Sequence, residues 1–290
     1  MLLDLYQALM SVGFPIPSYH YLGFGSIFFV DFRIVHKLLR IKKMTSVEGF
    51  KGLWKRCEFN KPFESVNIFE GMSSDLIPGL SKDELHLAWL DYDFPLNKIV
   101  ASDIVGLTST LRPWSIVMFT IDLERPKELP DELPASFLKF FQDQLPEYAV
   151  SGLTAADFKP TVRDRTIVKM IERCVKRGIR GRIDLTFEYL IRLHYADGHK
   201  MLTVGGMIAD QSARENLSKS TLDQLWFLSR DQEGESIGIP KLVFTPKEVC
   251  ALEQAYPDGV MPKGLGISNE DFDAFNLFYR YWPSYTETLV

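Results

Sequence analysis

Apolar residues along the first 123 positions follow two alternating patterns. Short apolar or β-branched runs are typical of buried strands, and between them apolar residues recur every three or four positions, as on one face of a helix. The strand-like runs are YHYLGF, MTSVEG, SVNIFEG, the part of DELHLAWLDYD that ends at Asp91, and SIVMFTIDLE. The alternation predicts a parallel sheet over 18–123 with helices on both faces.

The pattern changes after Arg125. A stretch rich in proline and acidic residues is followed by a charged amphipathic helix, DFKPTVRDRTIVKMIERCVKRG. We expect a helical insertion that covers the ends of the strands, as a lid or as a wall for a substrate. Two β-rich runs then flank Asp197-Gly198, a strong hairpin signal, which predicts an antiparallel addition to the sheet over 186–210.

The predicted fold class is α/β, a Rossmann-like, doubly wound, mostly parallel sheet with a terminal antiparallel hairpin. Two helices are expected in the tail, within TPKEVCALEQAY and SNEDFDAFNLFYRYW. The expected regions are a Rossmann-like core over 1–124, the helical insertion over 125–182, the hairpin over 183–210, and a mixed, largely helical extension over 211–290.

Composition limits the classes of protein that the chain can belong to. The 290 residues are 46% hydrophobic and 24% charged, with a net charge of -5, so the whole molecule has no basic bias toward nucleic acid. Neither a signal peptide nor a run of about 20 apolar residues is present, so no membrane association is expected. The three cysteines lie far apart, which predicts neither disulfides nor a zinc site and suits the cytoplasm.

The first strand-like run ends in Gly23-Phe24-Gly25-Ser26. Two glycines so close together allow a tight turn, and the absence of side chains lets a ligand lie against backbone amides. A turn without a ligand explains the same residues. Ser26 is a candidate N-cap for the helix that follows.

Polar residues also follow the next three strands. Glu48 and Gly49 end the second, Ser73, Ser74 and Asp75 follow the third, and Asp91, Tyr92 and Asp93 end the fourth. Glu48 and Asp75 could instead cap helices, and the two aspartates could be solvated loop residues. Ligands in open α/β sheets bind at the carboxyl ends of the strands, and this favours one shared site.

The order of five strand-helix units and a closing hairpin resembles the sheet of class I S-adenosylmethionine-dependent methyltransferases. The resemblance implies that the glycine turn, residues 23–26, approaches the methionine part of S-adenosylmethionine and that Glu48 accepts the ribose hydroxyls. It also implies that residues 73–75 contact the adenine, and that residues 91–93 face the methyl acceptor, with Asp91 or Asp93 as the base.

The glycine turn departs from the usual pattern of that superfamily. Tyr21 stands where an acid is usual, and Ile27 stands where a third glycine is usual. Asp31, in the following helix, is a candidate to supply the missing carboxylate. The fourth strand lacks the two prolines of adenine and cytosine N-methyltransferases, so DYDFP does not resemble a base-flipping enzyme.

A narrower resemblance extends over most of the chain. The segments YLGFGSIFFVDF, MTSVEG, WLDYD, HYADGHKMLTVGG and YRYWPSYTE are similar to a bacterial family described as O-methyltransferases, some of whose members are found near phage-defence genes. This implies methyl transfer from S-adenosylmethionine to oxygen or nitrogen. The acceptor stays open between a small molecule, a nucleotide and nucleic acid.

Two other functions are compatible with the same residues. The chain could be a methyltransferase-like nucleotide sensor or scaffold in a protein complex, or it could be a different enzyme on this fold. The two aspartates could also hold a divalent cation, as in catechol-type O-methyltransferases, although nothing else in the sequence resembles a set of metal ligands.

Overall fold

The computed structural model describes residues 1–148, 152–196, 198–228, 236–256, 259–262 and 264–281. The chain forms two compact units. The first contains residues 1–194 and 199–237, and the second contains residues 195–198 and 238–290. Asp197 of the expected hairpin turn, and the end of YRYWPSYTE from Trp282 onward, lie outside the described residues.

Eight strands are present in the described residues. They are β1 (His20–Gly23), β2 (Lys43–Glu48), β3 (Val66–Glu70), β4 (His86–Asp91), β5 (Ile116–Asp122), β6 (Thr186–Ala196), β7 (Lys200–Ala209) and β8 (Ile237–Ile239).

Ten α-helices lie between and after these strands in the same ranges. They are α1 (Leu2–Ser11), α2 (Val30–Leu39), α3 (Trp54–Asn60), α4 (Ser73–Leu76), α5 (Lys98–Thr110), α6 (Pro134–Gln144), α7 (Arg163–Ile179), α8 (Gln211–Lys219), α9 (Pro246–Glu253) and α10 (Asn269–Phe278).

Seven of the strands are ordered β3-β2-β1-β4-β5-β7-β6. β1 pairs in parallel with β2 and β4, β2 with β3, and β4 with β5, whereas β7 runs antiparallel to β5. This confirms the predicted mostly parallel sheet and its antiparallel hairpin. The strand order reverses between β1 and β4, where open α/β sheets form a crevice at the carboxyl ends of their strands.

The strand sequences explain why the sheet is buried on both faces. All seven residues of β5 are buried, and five of the six residues of β2 are buried. Continuous apolar and β-branched runs of this kind suit strands that are covered by helices on each side. The sheet therefore fixes the loops after β1, β2 and β4 at one edge of a rigid core.

The segment 125–182 contains α6 and α7, and the longer of the two, α7, packs against a helix that flanks the sheet. α7 lies along α5, and Gly178 permits a close approach because a Cβ there would lie 2.8 Å from the carbonyl oxygen of Val105. Just beyond α7, the Arg182 guanidinium donates hydrogen bonds of 2.6 and 2.7 Å to the carbonyls of Thr108 and Leu111, at the end of α5. These contacts hold α7 and the residues after it against α5.

The second unit has a small apolar core of its own. Leu252 of α9 is buried with Phe272 and Phe275 of α10. Thr245 caps α9 in a capping box with Glu248, and the Ser268 side chain caps α10. Both helices lie where the sequence predicts helices in the tail.

Candidate active site

A cavity of about 1120 Å³ opens at the carboxyl ends of β1, β2 and β4. Most of the residues predicted for the site line it, namely Phe24, Gly25, Ser26, Glu48, Gly49, Ser73, Asp91, Tyr92 and Asp93. Gly23, Ser74 and Asp75 do not. The segment 125–182 contributes no described residue to the lining.

The two glycines of the turn make room for side chains of the protein itself. A Cβ on Gly23 would lie 2.9 Å from the Tyr21 hydroxyl, and a Cβ on Gly25 would lie 2.5 Å from the Phe29 ring. The Gly25 amide already donates a 3.0 Å hydrogen bond to the Ser46 hydroxyl. The turn is therefore shaped by internal packing, and this amide is not presented to a ligand.

The helix after the turn begins later than predicted. Ser26 has a φ of 48° and is not an N-cap; its hydroxyl accepts a 3.2 Å hydrogen bond from the Phe28 amide. Phe29, fully buried and with a φ of 52°, immediately precedes Val30, the first residue of α2. Burial of the Phe29 ring against the glycine turn thus outweighs the local capping preference of a serine.

Asp31 and Tyr21 form a pair at one wall of the cavity. The Tyr21 hydroxyl donates a 2.5 Å hydrogen bond to the Asp31 carboxyl, and both side chains line the cavity. Burial raises the pKa of Asp31, although the hydrogen bond from Tyr21 lowers it. A carboxyl group is therefore held beside the glycine turn by α2 instead of by β1.

Glu48 is 7% exposed and has partners on both carboxylate oxygens. Oε1 accepts a 2.8 Å hydrogen bond from the Phe50 amide, and Oε2 accepts a 3.4 Å bond from the Cys57 thiol. Burial and the bond to Glu48 raise the pKa of Cys57 to about 11, so the thiol keeps its proton. Each oxygen has capacity for a further donor, and the side chain lines the cavity.

Ser73 and Tyr92 are held by a residue that the sequence analysis missed. Both hydroxyls donate to Oδ2 of Asp103 on α5, from Tyr92 at 2.6 Å. Asp103 is 1% exposed, and its burial raises the pKa of the carboxyl although both hydrogen bonds lower it. The sequence did contain a signal for this role. Asp103 lies on the same face of α5 as the buried Val100 and Ile104, and an aspartate on an apolar helix face needs hydrogen-bond partners.

The three residues after the fourth strand play different structural parts. Asp91 and Asp93 are exposed and line the cavity, whereas Tyr92 is 3% exposed. The Tyr92 ring packs edge-to-face on Phe24, with ring centroids 5.2 Å apart. Its hydroxyl donates to Asp103 of α5, so Tyr92 is fixed between Phe24 and α5.

The segment after β3 mainly caps the N-terminus of α4. The Asp75 carboxylate accepts a 3.1 Å hydrogen bond from the Met72 amide at the start of α4. Asp75 and Ser74 are exposed and lie outside the cavity lining, whereas Ser73 is buried and belongs to it. Asp75 thus caps α4 from its third residue, and Met72 is the N-cap.

Apolar side chains of α1 and α2 form one wall of the cavity, which the sequence analysis did not assign to the site. Leu2, Leu3 and Tyr6 line it from α1, and Val30 and Ile34 line it from α2. Val30 is 61% exposed and Ile34 is 50% exposed. Apolar residues on both faces of α2 were the signal that one face contacts something other than the core.

The strand order, the antiparallel β7, and a cavity at the reversal between β1 and β4 together define the Rossmann-like fold of class I methyltransferases. The sequence matches, over residues 1–290, the family described as "Putative O-methyltransferase". The chain belongs to this family. No curated protein matches the sequence.

Several solved structures are similar at low sequence identity. Trm1 from Pyrococcus horikoshii, in complex with S-adenosyl-L-methionine, is 12% identical with a TM-score of 0.43, over 73% of this chain and 57% of that chain. The fibrillarin pre-rRNA processing protein of Methanococcus jannaschii is 10% identical with a TM-score of 0.40, over 68% and 70%. The N-methyltransferase NodS from Bradyrhizobium japonicum WM9 is 12% identical with a TM-score of 0.38, over 72% and 97%. Family membership rests on the sequence match alone.

None of the helices in the described ranges has both the length and the apolar character that crossing a membrane requires.

Proposed function

We propose that the chain transfers a methyl group from S-adenosylmethionine to an oxygen or nitrogen of an apolar small molecule. The observation that carries this proposal is the cavity itself. It joins Glu48, at the end of β2, to the exposed Asp91 and Asp93, at the end of β4, in a member of an O-methyltransferase family. Its volume of about 1120 Å³ exceeds the roughly 300–1,000 Å³ of ordinary ligand sites, which leaves room for a cofactor and an acceptor together.

The residues that line the cavity near β1 and β2 fit this cofactor. Glu48 offers two buried carboxylate oxygens with remaining acceptor capacity to the two hydroxyls of a ribose. Asp31, fixed by Tyr21, offers a carboxyl beside the glycine turn to the amino group of the cofactor. Tyr92 and Phe24 present aromatic surface between these groups and the acceptor end.

When bound, S-adenosylmethionine supplies a methyl carbon made electrophilic by its sulfonium. The protein contributes orientation, exclusion of water, and a place for the proton of the acceptor. Asp93 and Asp91 are the carboxylates that would accept this proton, because both line the cavity and both are exposed to it.

Charge and polarity favour an apolar acceptor without phosphate. Among the described residues, the charged side chains that line the cavity are four carboxylates and one guanidinium: Asp31, Glu48, Asp91, Asp93 and Arg56. The acidic excess suits a cationic cofactor and repels phosphates, which disfavours nucleotides and nucleic acid. The wall formed by α1 and α2 offers apolar contact to an aromatic or aliphatic acceptor.

The cytoplasm is the location that we propose. All three cysteines are free, Cys57 and Cys174 in buried positions and Cys250 in an exposed one. Thiols persist in a reducing compartment, and this supports the proposal.

The experiment has two arms. Calorimetric titration of the purified full chain with S-adenosylmethionine should give one site per chain. Incubation with the methyl-labelled cofactor should then label hydrophobic phenols and amines but not mononucleotides or oligonucleotides. Absence of cofactor binding by the folded protein would contradict the proposal. Binding without transfer to any acceptor would favour a sensor or scaffold, and labelling of nucleotides would overturn the acceptor class.

A further inference from the structure

A second group of ligand-type side chains lies at the opposite edge of the sheet from the cavity. His20 is the first residue of β1, His86 is the first residue of β4, and the two are aligned in register. Glu84 lies just before β4. One nitrogen from each histidine and one oxygen of Glu84 all lie within 4.8 Å of one another.

Hydrogen bonds fix the orientation of both imidazoles. His86 Nδ1 lies 3.1 Å from the Glu84 carbonyl oxygen, and because a carbonyl only accepts, this nitrogen carries the proton. In the neutral ring Nε2 then has a lone pair. His20 Nε2 lies 2.8 Å from the Thr45 hydroxyl, which can accept a hydrogen bond from Nε2–H and leave the lone pair on Nδ1.

The remaining nitrogen of each ring is buried, and among the described residues His86 Nε2 makes no hydrogen bond. His86 has no exposed surface, and His20 Nδ1 lies 3.3 Å from a carboxylate oxygen of Glu84. A buried polar atom without a partner is unfavourable, and His86 Nε2 lies beside a second imidazole and a carboxylate that could share a cation with it. Metal-binding histidines are typically held through their other ring nitrogen in this manner.

We propose that His20 Nδ1, His86 Nε2 and the Glu84 carboxylate bind a divalent transition metal, with zinc the best match. Two imidazoles and one carboxylate are a usual zinc donor set, which leaves a fourth position for water. Metal–ligand bonds of about 2.0–2.2 Å place tetrahedral ligand atoms roughly 3.5 Å apart. The three ligand atoms here lie within 4.8 Å of one another, so small side-chain rotations that move them by about an ångström would bring them to that separation. The metal would join β1 to the segment that enters β4, far from the methyl-transfer cavity.

Lys43 is the native competitor for this site. Its ammonium lies 2.5 and 2.7 Å from the two Glu84 carboxylate oxygens, and its side chain is about half exposed. An exposed ion pair contributes little to stability, so a metal can displace the ammonium into solvent. The presence of Lys43 also supplies a test that distinguishes a metal site from a simple surface ion pair.

The test uses the full chain, freed of metal with a chelator and titrated calorimetrically with zinc chloride. We expect one zinc per chain and, after addition of cobalt(II) instead, the visible absorption of a tetrahedral site. Glu84→Gln should weaken zinc binding at least tenfold, and His86→Gln should do the same. Lys43→Met should tighten zinc binding, because it removes the competing charge. His199→Gln is the matched control, since His199 is exposed and lies near Asp122 instead.

Circular dichroism of each variant establishes that it is folded, and Glu84→Gln keeps the proposal testable if the buried His86 cannot be replaced. Failure of both the wild type and Lys43→Met to bind zinc would overturn the proposal. Equal zinc affinity in Glu84→Gln and His199→Gln would overturn it as well.

Discussion

Replacement of Glu48 by alanine is the most direct perturbation of the proposed cofactor site. The carboxylate is 7% exposed, lines the cavity, and accepts one hydrogen bond on each oxygen from the protein. If it also accepts the ribose hydroxyls, the bond to a charged acceptor contributes about 1.5–3 kcal/mol. Glu48→Ala should therefore weaken the binding of S-adenosylmethionine by about ten- to a hundred-fold.

The same substitution has a cost in stability that must be measured separately. Alanine leaves the Phe50 amide and the Cys57 thiol without their carboxylate partner. Phe50 is 72% exposed, so water can replace one bond, whereas Cys57 is buried. We expect a loss of roughly 1 kcal/mol in the free energy of unfolding. Glu48→Gln should lie between wild type and alanine, because it keeps one oxygen acceptor and replaces the other by a donor.

Calorimetric titration with S-adenosylmethionine, paired with urea unfolding, separates these two effects. Cys57→Ala is the matched control, because it removes the thiol that contacts Glu48 but leaves the carboxylate at the cavity. Its cofactor affinity should stay close to that of the wild type. An undiminished affinity in folded Glu48→Ala, alongside a wild type that binds, would refute this placement of the ribose.

Three further substitutions test the rest of the site. Asp93→Asn should leave cofactor affinity unchanged and slow methyl transfer by about a hundredfold or more, measured by label incorporation under saturating cofactor. Burial raises the pKa of Asp103 above its ordinary value near 4, so the folded state holds this proton more tightly than the unfolded chain does. Urea unfolding should therefore show wild type losing stability relative to Asp103→Asn as the pH rises from about 4 through the raised pKa, and parallel pH profiles would contradict this. Gly25→Ala should lower the free energy of unfolding by about 1–3 kcal/mol, because its Cβ would meet the Phe29 ring at 2.5 Å and the Ser46 hydroxyl at 2.8 Å; unaltered urea unfolding would contradict the packing argument.

Local patterns were sufficient to predict the sheet. The run SIVMFTIDLE predicts a buried strand, and all seven residues of β5 are buried. Strand ends were also predictable, so Glu48 and Asp91 could be assigned to one edge before the structure was known. The carboxyl ends of all parallel strands lie at the same edge of a sheet. Residues that end different strands can therefore be predicted to lie near one another, even when they are far apart in the sequence.

Contacts between distant side chains could not be predicted in the same way. Ser26 has the composition of an N-cap, but α2 begins at Val30 because the Phe29 ring is buried beside Gly25. Asp103 lies on the buried face of a helix, and its position alone does not identify Ser73, thirty residues earlier, as its partner. In both cases tertiary packing decided a choice that the local sequence left open.

The rule that identified the cavity applies equally to the other edge of the sheet. The first residues of parallel strands also lie at one edge of the sheet, just as the last residues do. His20 and His86 begin the neighbouring strands β1 and β4 and are therefore close in space. These histidines lie 66 positions apart, so no spacing typical of a zinc motif relates them. Their proximity depends on the crossover that places β4 beside β1, which is also what creates the crevice at the opposite edge. One feature of the topology therefore assembles both the proposed methyl-transfer cavity and the proposed metal site.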